Sequence, residues 1–201
     1  MNGGPALHRD DKQLVLDGSI PLDSLITIRK GELVHHPIEA RLLAARQELV
    51  KISGTGKSWV CRHYDAGAKE CRIYDRRPQA CRLLKCWDSG EVEALIEQDT
   101  LGRLDLIQAG DPLYQAVIEH EARYPCPDLE ILFRSGRADD PEHLESLANR
   151  EIVYRTAITA QHRLTLRQEL FYFGRPLFQL YRSVGASVRE SGDRLVITWP
   201  E

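Results

Sequence analysis

Four cysteines, Cys61, Cys71, Cys81 and Cys86, fall within 26 residues, and a fifth, Cys126, stands alone. No other feature constrains the chain as strongly. In a reducing compartment, clustered thiols more often bind metal or take part in catalysis than form disulfides, and an odd total leaves one cysteine unpaired in any full disulfide scheme. A single cysteine would read as a small buried hydrophobe. That reading fails for four in a segment that is otherwise polar and offers little apolar interior. Cys61, Cys71, Cys81 and Cys86 are therefore the candidate metal ligands, for zinc, iron or an iron–sulfur cluster. Cys126, between Pro125 and Pro127, reads as packing.

The spacing C-x9-C-x9-C-x4-C has neither the C-x2-C knuckles of common zinc ribbons nor the usual ferredoxin spacings, so spacing alone does not name the metal. Charge adds a second argument. From Cys61 to Cys86 there are seven basic residues (Arg62, Lys69, Arg72, Arg76, Arg77, Arg82, Lys85) and three acidic ones (Asp65, Glu70, Asp75), a local +4 in a chain of −3, leaving −7 elsewhere. Thiolates around a divalent ion leave a negative site that such a surround compensates. Pro78 can open a helix and place Cys81 in its first turn, where free N–H groups favour a thiolate and a lowered thiol pKa. His63, two residues after Cys61, is a possible additional ligand, since neutral imidazole is a frequent metal donor.

The chain as a whole is 42% hydrophobic and 28% charged, enough for a real core. Asp10 to Leu16 suggests a helical turn or two. Leu25 to Val34 reads as strand with a turn at Lys30-Gly31-Glu32, Glu39 to Arg46 leans helical, and Glu48 to Ile52 is a second short strand. Trp59 to Trp87 is loop-rich. Ser89 and Asp111-Pro112 signal helix starts, the latter for Leu113 to Tyr124. Asp140-Pro141 opens a long helix to about Arg167 with Leu144, Leu147, Tyr154 and Ile158 as its apolar stripe, read as core before dimer face. Arg175 to Ser183 reads as a last helix, and Ala186 to Trp199 as a hairpin around Glu190-Ser191-Gly192-Asp193.

No run of about 18 apolar residues and no basic-then-apolar leader occurs, so the chain is expected to be cytoplasmic with no membrane partner. The overall charge of −3 argues against a general nucleic-acid binder. The basic patch interleaved with Tyr64 and Tyr74 keeps a nucleic-acid-binding module as the second alternative. Ser53-Gly54-Thr55-Gly56-Lys57-Ser58 ends like a phosphate-binding loop, but Lys51 stands where the motif needs glycine, and Trp59-Val60-Cys61 reads as strand where it needs helix. His35-His36 reads as surface. A Cys-His nucleophile would need an orienting third group that one sequence does not identify, so catalytic residues and enzymatic activity are left open.

The string Cys71-Arg72-Ile73-Tyr74-Asp75-Arg76-Arg77-Pro78-Gln79-Ala80-Cys81-Arg82 resembles the cysteine-cluster family called YkgJ or CxxCxxCC, described as zinc- or iron-chelating. By that resemblance Cys61, Cys71, Cys81 and Cys86 match motif cysteines, and Tyr74, Arg77 and Pro78 match supporting positions. The resemblance covers Gly3 to about Asp88. The family's early C-x-x-C-x-x-C-C cluster is missing ahead of Gly3-Gly4-Pro5, which implies that the chain starts late and lacks part of the family's ligand set.

The resulting expectation is an α+β protein: residues 1–88 a cysteine-cluster region with short strands, loop-rich and metal-held, and residues 89–201 mainly helical with a terminal hairpin. Its function would be binding of zinc or iron, with an iron–sulfur redox or catalytic accessory role as the first alternative.

Overall fold

The computed structural model describes residues 3–85 and 87–200, so Cys86 lies outside the described residues. The fold is α+β, with small two-stranded sheets ahead of a helical part that ends in a hairpin. After a 3-10 turn at Arg9–Asp11 comes α1 (Lys12–Leu16), then β1 (Leu25–Ile28) and β2 (Leu33–His36). These two strands do not pair with each other. β2 pairs with β3 (Arg41–Ala44), whereas β1 pairs with β4 (Leu49–Ile52), matching Leu25 with Ile52 and Ile28 with Leu49. All of Leu25-Ile26-Thr27-Ile28 is buried, as expected of a strand covered on both faces.

The helical expectation for Glu39 to Arg46 is corrected here. Ala40 takes a left-handed φ of 51° and closes a hairpin in which His36 faces Arg41. Arg41-Leu42-Leu43-Ala44 are good helix formers, but strand pairing to β2 overrides that local preference. Three short elements then carry the cysteines: the hairpin of β5 (Gly54–Thr55) and β6 (Val60–Cys61), the hairpin of β7 (Tyr64–Asp65) and β8 (Glu70–Cys71), and α2 (Gln79–Leu83).

The helical part runs α3 (Gly90–Glu93), α4 (Arg103–Leu106), α5 (Tyr114–Arg123), α6 (Leu129–Ser135), α7 (Pro141–His162), α8 (Leu166–Phe173) and α9 (Leu177–Ser183), then the hairpin β9 (Ser187–Ser191) and β10 (Arg194–Thr198). Asp140 caps α7 by accepting the His143 N–H at 3.0 Å. The helix does not continue to Arg167. Arg163 turns left-handed at φ 52°, and Thr165 with Gln168 forms a capping box that restarts the chain as α8, which the apolar stripe alone could not reveal. Asp111 accepts the Leu113 N–H at 2.8 Å, which sets the start of α5 one turn further on.

Two apolar cores hold these elements. The first joins Leu7, Leu25, Val50, Ile52, Leu101, Val117, Phe171 and Phe173, drawing on both sides of residue 88, and Cys61 and Ile73 pack against it. The second joins Leu33, Leu129, Leu144, Leu147, Leu177, Leu180, Tyr181 and Ile197, with Cys126 at its margin. Tyr154 packs against both. A buried ionic network ties the strands to the helices. Arg29 pairs with Glu121 at 3.1 Å and Glu151 at 2.9 Å, Arg155 with Glu169 at 2.8 Å, Arg103 with Glu48 at 2.9 Å, and Arg175 with Glu32. Removing one member of such a buried pair costs about 3–5 kcal/mol, because the other charge is left uncompensated.

Candidate metal centre

Cys61 sits opposite Gly54 in the β5–β6 hairpin. Its turn is covered by the Trp59 indole, which lies so close to Gly54 that a Cβ there would be 2.5 Å from Trp59 Cγ. The N-terminal run passes across the same place. Gly3 donates its N–H to the Trp59 carbonyl at 2.6 Å, and Gly4 donates to the Ile52 carbonyl at 3.0 Å. A Cβ on Gly4 would lie 2.6 Å from Ile52 Cβ and 3.1 Å from Cys61 Sγ. Glycine is what lets the backbone approach both the core strand and the thiol.

Cys71 faces Tyr64 across the second hairpin. Asp65 shapes its turn by accepting the N–H groups of Gly67 at 2.9 Å and Ala68 at 3.1 Å, and it pairs with Arg72 at 3.2 Å. Those backbone donors, Ala68 first, hold the Asp65 carboxyl below its usual range. Lys69 completes the turn in the left-handed region at φ 57°.

Cys81 lies in the first turn of α2, which Pro78 opens. The free N–H of Gln79 at that end is taken by Asp11 Oδ1 at 2.7 Å, while Asp11 Oδ2 accepts the His8 N–H at 3.0 Å. Asp11 is fully buried. Tyr74 and Arg77 staple the approach to α2: Arg77 Nε donates to the Tyr74 carbonyl at 2.8 Å, its guanidinium stacks 3.7 Å over the Tyr74 ring, and Arg82 donates to the Arg77 carbonyl at 2.7 Å.

Cys61, Cys71 and Cys81 are thus delivered by three separate elements, each thiol half-buried and none in a disulfide. The Cys81 thiol is pushed up to about 11, by burial first and then by Cys61 and Cys71, with Asp11 adding to this and Arg77 opposing it. The expectation that the helix start and basic surround lower its pKa does not hold for Cys81. Burial and two neighbouring thiols outweigh one guanidinium. The three thiols are within electrostatic reach of one another, yet among the described residues no three His, Cys, Asp or Glu side chains stand close enough together to hold one metal ion. Cys86, the fourth expected ligand, lies outside the described residues.

His63 is also half-buried, and its Nε2 is buried with no hydrogen-bond partner among the described residues. Burial, then Arg62 and Arg72, hold its pKa below the ordinary value, so the imidazole is neutral with a lone pair to offer. His36 accepts the Glu39 N–H at 3.2 Å in the β2–β3 turn. Lys57 and Ser58 lie in the turn between β5 and β6, so the loop-like Gly-Lys-Ser string precedes strand and not helix.

Asp11, Gly4 and the ionic network carry no signal in the sequence that would have marked them. A cleft of about 880 Å³ over that network is lined by Gly31, Glu48, Glu121 and Cys126 among others. Its carboxylates Glu48 and Glu121 are bound by Arg103 and Arg29, and burial pushes the Cys126 thiol up to about 12. Cys126 donates to the Pro127 carbonyl at 3.4 Å and stays protonated, so it offers the cleft no thiolate. None of its lining residues comes from the cysteine module.

Against protein-family models, curated proteins and solved structures, the chain matches none. Among the described residues no helix is long and apolar enough to cross a membrane.

Proposed function

We propose that the protein binds zinc or iron, the latter alone or as an iron–sulfur cluster, through Cys61, Cys71, Cys81 and Cys86, with His63 as a further donor. The observation that carries this reading is that Cys61, Cys71 and Cys81 are free and half-buried, with Cys81 held protonated by burial and then by its nearness to Cys61 and Cys71. A cation relieves that opposition by supplying positive charge as the thiols lose their protons. The unpartnered Nε2 of His63 fits the same donor set, since a buried nitrogen left without a partner costs about 1–3 kcal/mol. The resemblance of Cys71 to Arg82 to the YkgJ-like family supports it further. Ligation requires the thiols to draw in from where the unligated chain holds them. Hairpins with two-residue strands can move that far, being marginal on their own.

The role we favour is a binding or delivery module in the reducing cytoplasm, where such thiols stay free. The alternative, an iron–sulfur centre in electron transfer, would draw on the same ligands. Metal content and the visible spectrum of protein purified without oxygen test both. One colourless zinc per chain selects the first and a visible iron chromophore the second. Cys71→Ser and Cys81→Ser are expected to lower metal content and melting temperature together, since binding energy here is folding energy. Unchanged metal and melting in both variants would refute the site.

A further inference from the structure

The segment from Tyr74 to Trp87 leaves three large side chains in water: Tyr74 is 60% exposed, Leu84 60% and Trp87 84%. A solitary exposed apolar side chain needs no explanation, but aromatic rings grouped with cations on one short module do. The cations there are of a particular kind. Arg29, Arg103, Arg155 and Arg175 are all neutralised by buried or half-buried glutamates. Among the described residues Arg77 and Arg82 form no ion pair with a carboxylate, and Arg76 donates to the Ser19 hydroxyl at 2.5 Å, within electrostatic reach of Asp17 but without a direct ion pair. Tyr74, Arg77 and Arg82 make one continuous surface, because the Arg77 guanidinium lies on the Tyr74 ring and Arg82 bonds the Arg77 carbonyl.

Positive charge with no carboxylate partner among the described residues, that of Arg77 and Arg82, thus lies beside the exposed Tyr74 ring. We propose that the exposed segment from Tyr74 to Trp87 binds single-stranded nucleic acid, with Arg76, Arg77 and Arg82 on the phosphates and the exposed rings of Tyr74 and Trp87 stacking on unpaired bases. An acidic peptide would satisfy the guanidiniums but would leave the rings without a use. A duplex would hide its bases, and α2, with five residues, is too short to read a groove. Separate exposed rings beside cations are what an unpaired strand requires.

Fluorescence anisotropy of the full chain with a labelled oligothymidylate, read alongside tryptophan emission, tests the proposal without reference to metal. Three phosphate contacts give a slope of about −2 in log K against log salt, so affinity is expected to fall roughly twenty-fold between about 50 and about 200 mM salt. Trp87→Ala is expected to weaken binding by roughly five- to a hundred-fold with the salt slope kept. Arg82→Gln is expected to flatten the slope by about 0.7. Trp87 is exposed, so Trp87→Ala should melt as the parent does, and Arg82→Gln, which gives up one exposed bond to the Arg77 carbonyl, should lose no more than about 1 kcal/mol. Absence of binding at low salt, binding unaffected by both substitutions, or equal competition by polyglutamate without any change in tryptophan emission would overturn it. The last result would mark the face as a site for acidic protein segments.

Discussion

Replacing Asp11 with alanine tests how the cysteine module is fastened to the rest of the chain. Asp11 is fully buried, and its two oxygens accept two backbone N–H groups from distant places, His8 at 3.0 Å and Gln79 at 2.7 Å. Hydrogen bonds to a charged partner contribute about 1.5–3 kcal/mol each, and the N–H groups left behind by alanine have no other acceptor in place. The expected loss is about 3–5 kcal/mol, a large share of the roughly 5–15 kcal/mol that stabilises a domain. The Asp11→Asn variant keeps one acceptor oxygen, so about half the loss is expected. Urea unfolding measures both. A second readout follows from charge: Asp11 is one of the groups holding the Cys81 thiol up near about 11. In either variant Cys81 should therefore ionise at lower pH and react faster with a disulfide reagent at fixed pH. Asp11→Ala within about 1 kcal/mol of the parent, or Cys81 reacting no faster in either variant, would refute the reasoning.

Two further outcomes follow from buried contacts. His120 is fully buried with Nε2 3.0 Å from Glu151, and burial, against the pull of Glu151 and with Arg29 and Arg155 nearby, lowers its pKa from 6.5 to about 4. The unfolded chain binds the proton first on acidification, so this contribution is complete above about pH 6.5 and is lost as pH falls toward about 4, amounting to about 3 kcal/mol. In His120→Gln that part of the pH dependence should vanish from urea unfolding curves, and a variant as steep as the parent between those values would contradict it. Gly4→Ala puts a Cβ 2.6 Å from Ile52 and 3.1 Å from Cys61 Sγ, which overpacks the strand by about 1–3 kcal/mol. Melting temperature and bound metal should fall together, and a variant with neither changed would show that the N-terminal run is free to move aside.

What the sequence made legible was local. Asp140-Pro141, the Gly192-Asp193 turn and the strand at Leu25 to Ile28 are written in adjacent residues, and the structure carries all three. Glu39 to Arg46 misled because its propensity is helical while its pairing partner, β2, lies outside the window that propensity samples. Helix α6 went unread although its signals are present, with Asp128 accepting the Glu130 and Ile131 N–H groups and Gly136 left-handed at its end. Seven residues are too few for an apolar period to stand out. The candidate ligands were visible because cysteine is rare and its clustering is a sequence property. Asp11 was invisible for the opposite reason: nothing about an aspartate 68 positions before Gln79 says that it closes the turn carrying Cys81.

That contrast bears on how such a module can exist. Its strands are two residues long and its one helix five, far below what holds itself together in water. Its fastening comes from the N-terminal side, where Gly3 and Gly4 bond to Trp59 and Ile52, Asp11 to Gln79, Ser19 to Arg76, and Asp23 pairs with Arg62 at 3.8 Å. Each contact fixes one edge of the module to the first core, and Cys61 and Ile73 supply its apolar footing there. At the far edge Tyr74, Leu84 and Trp87 stay exposed, and the chain there is tied by Lys85, which pairs with Glu91 and bridges to Asp88. A module fastened along one edge keeps its thiols near one another without locking them in place. On the proposed reading, a cation would complete the packing that the apolar residues are too few to supply, and the exposed edge would stay available to the nucleic acid proposed above.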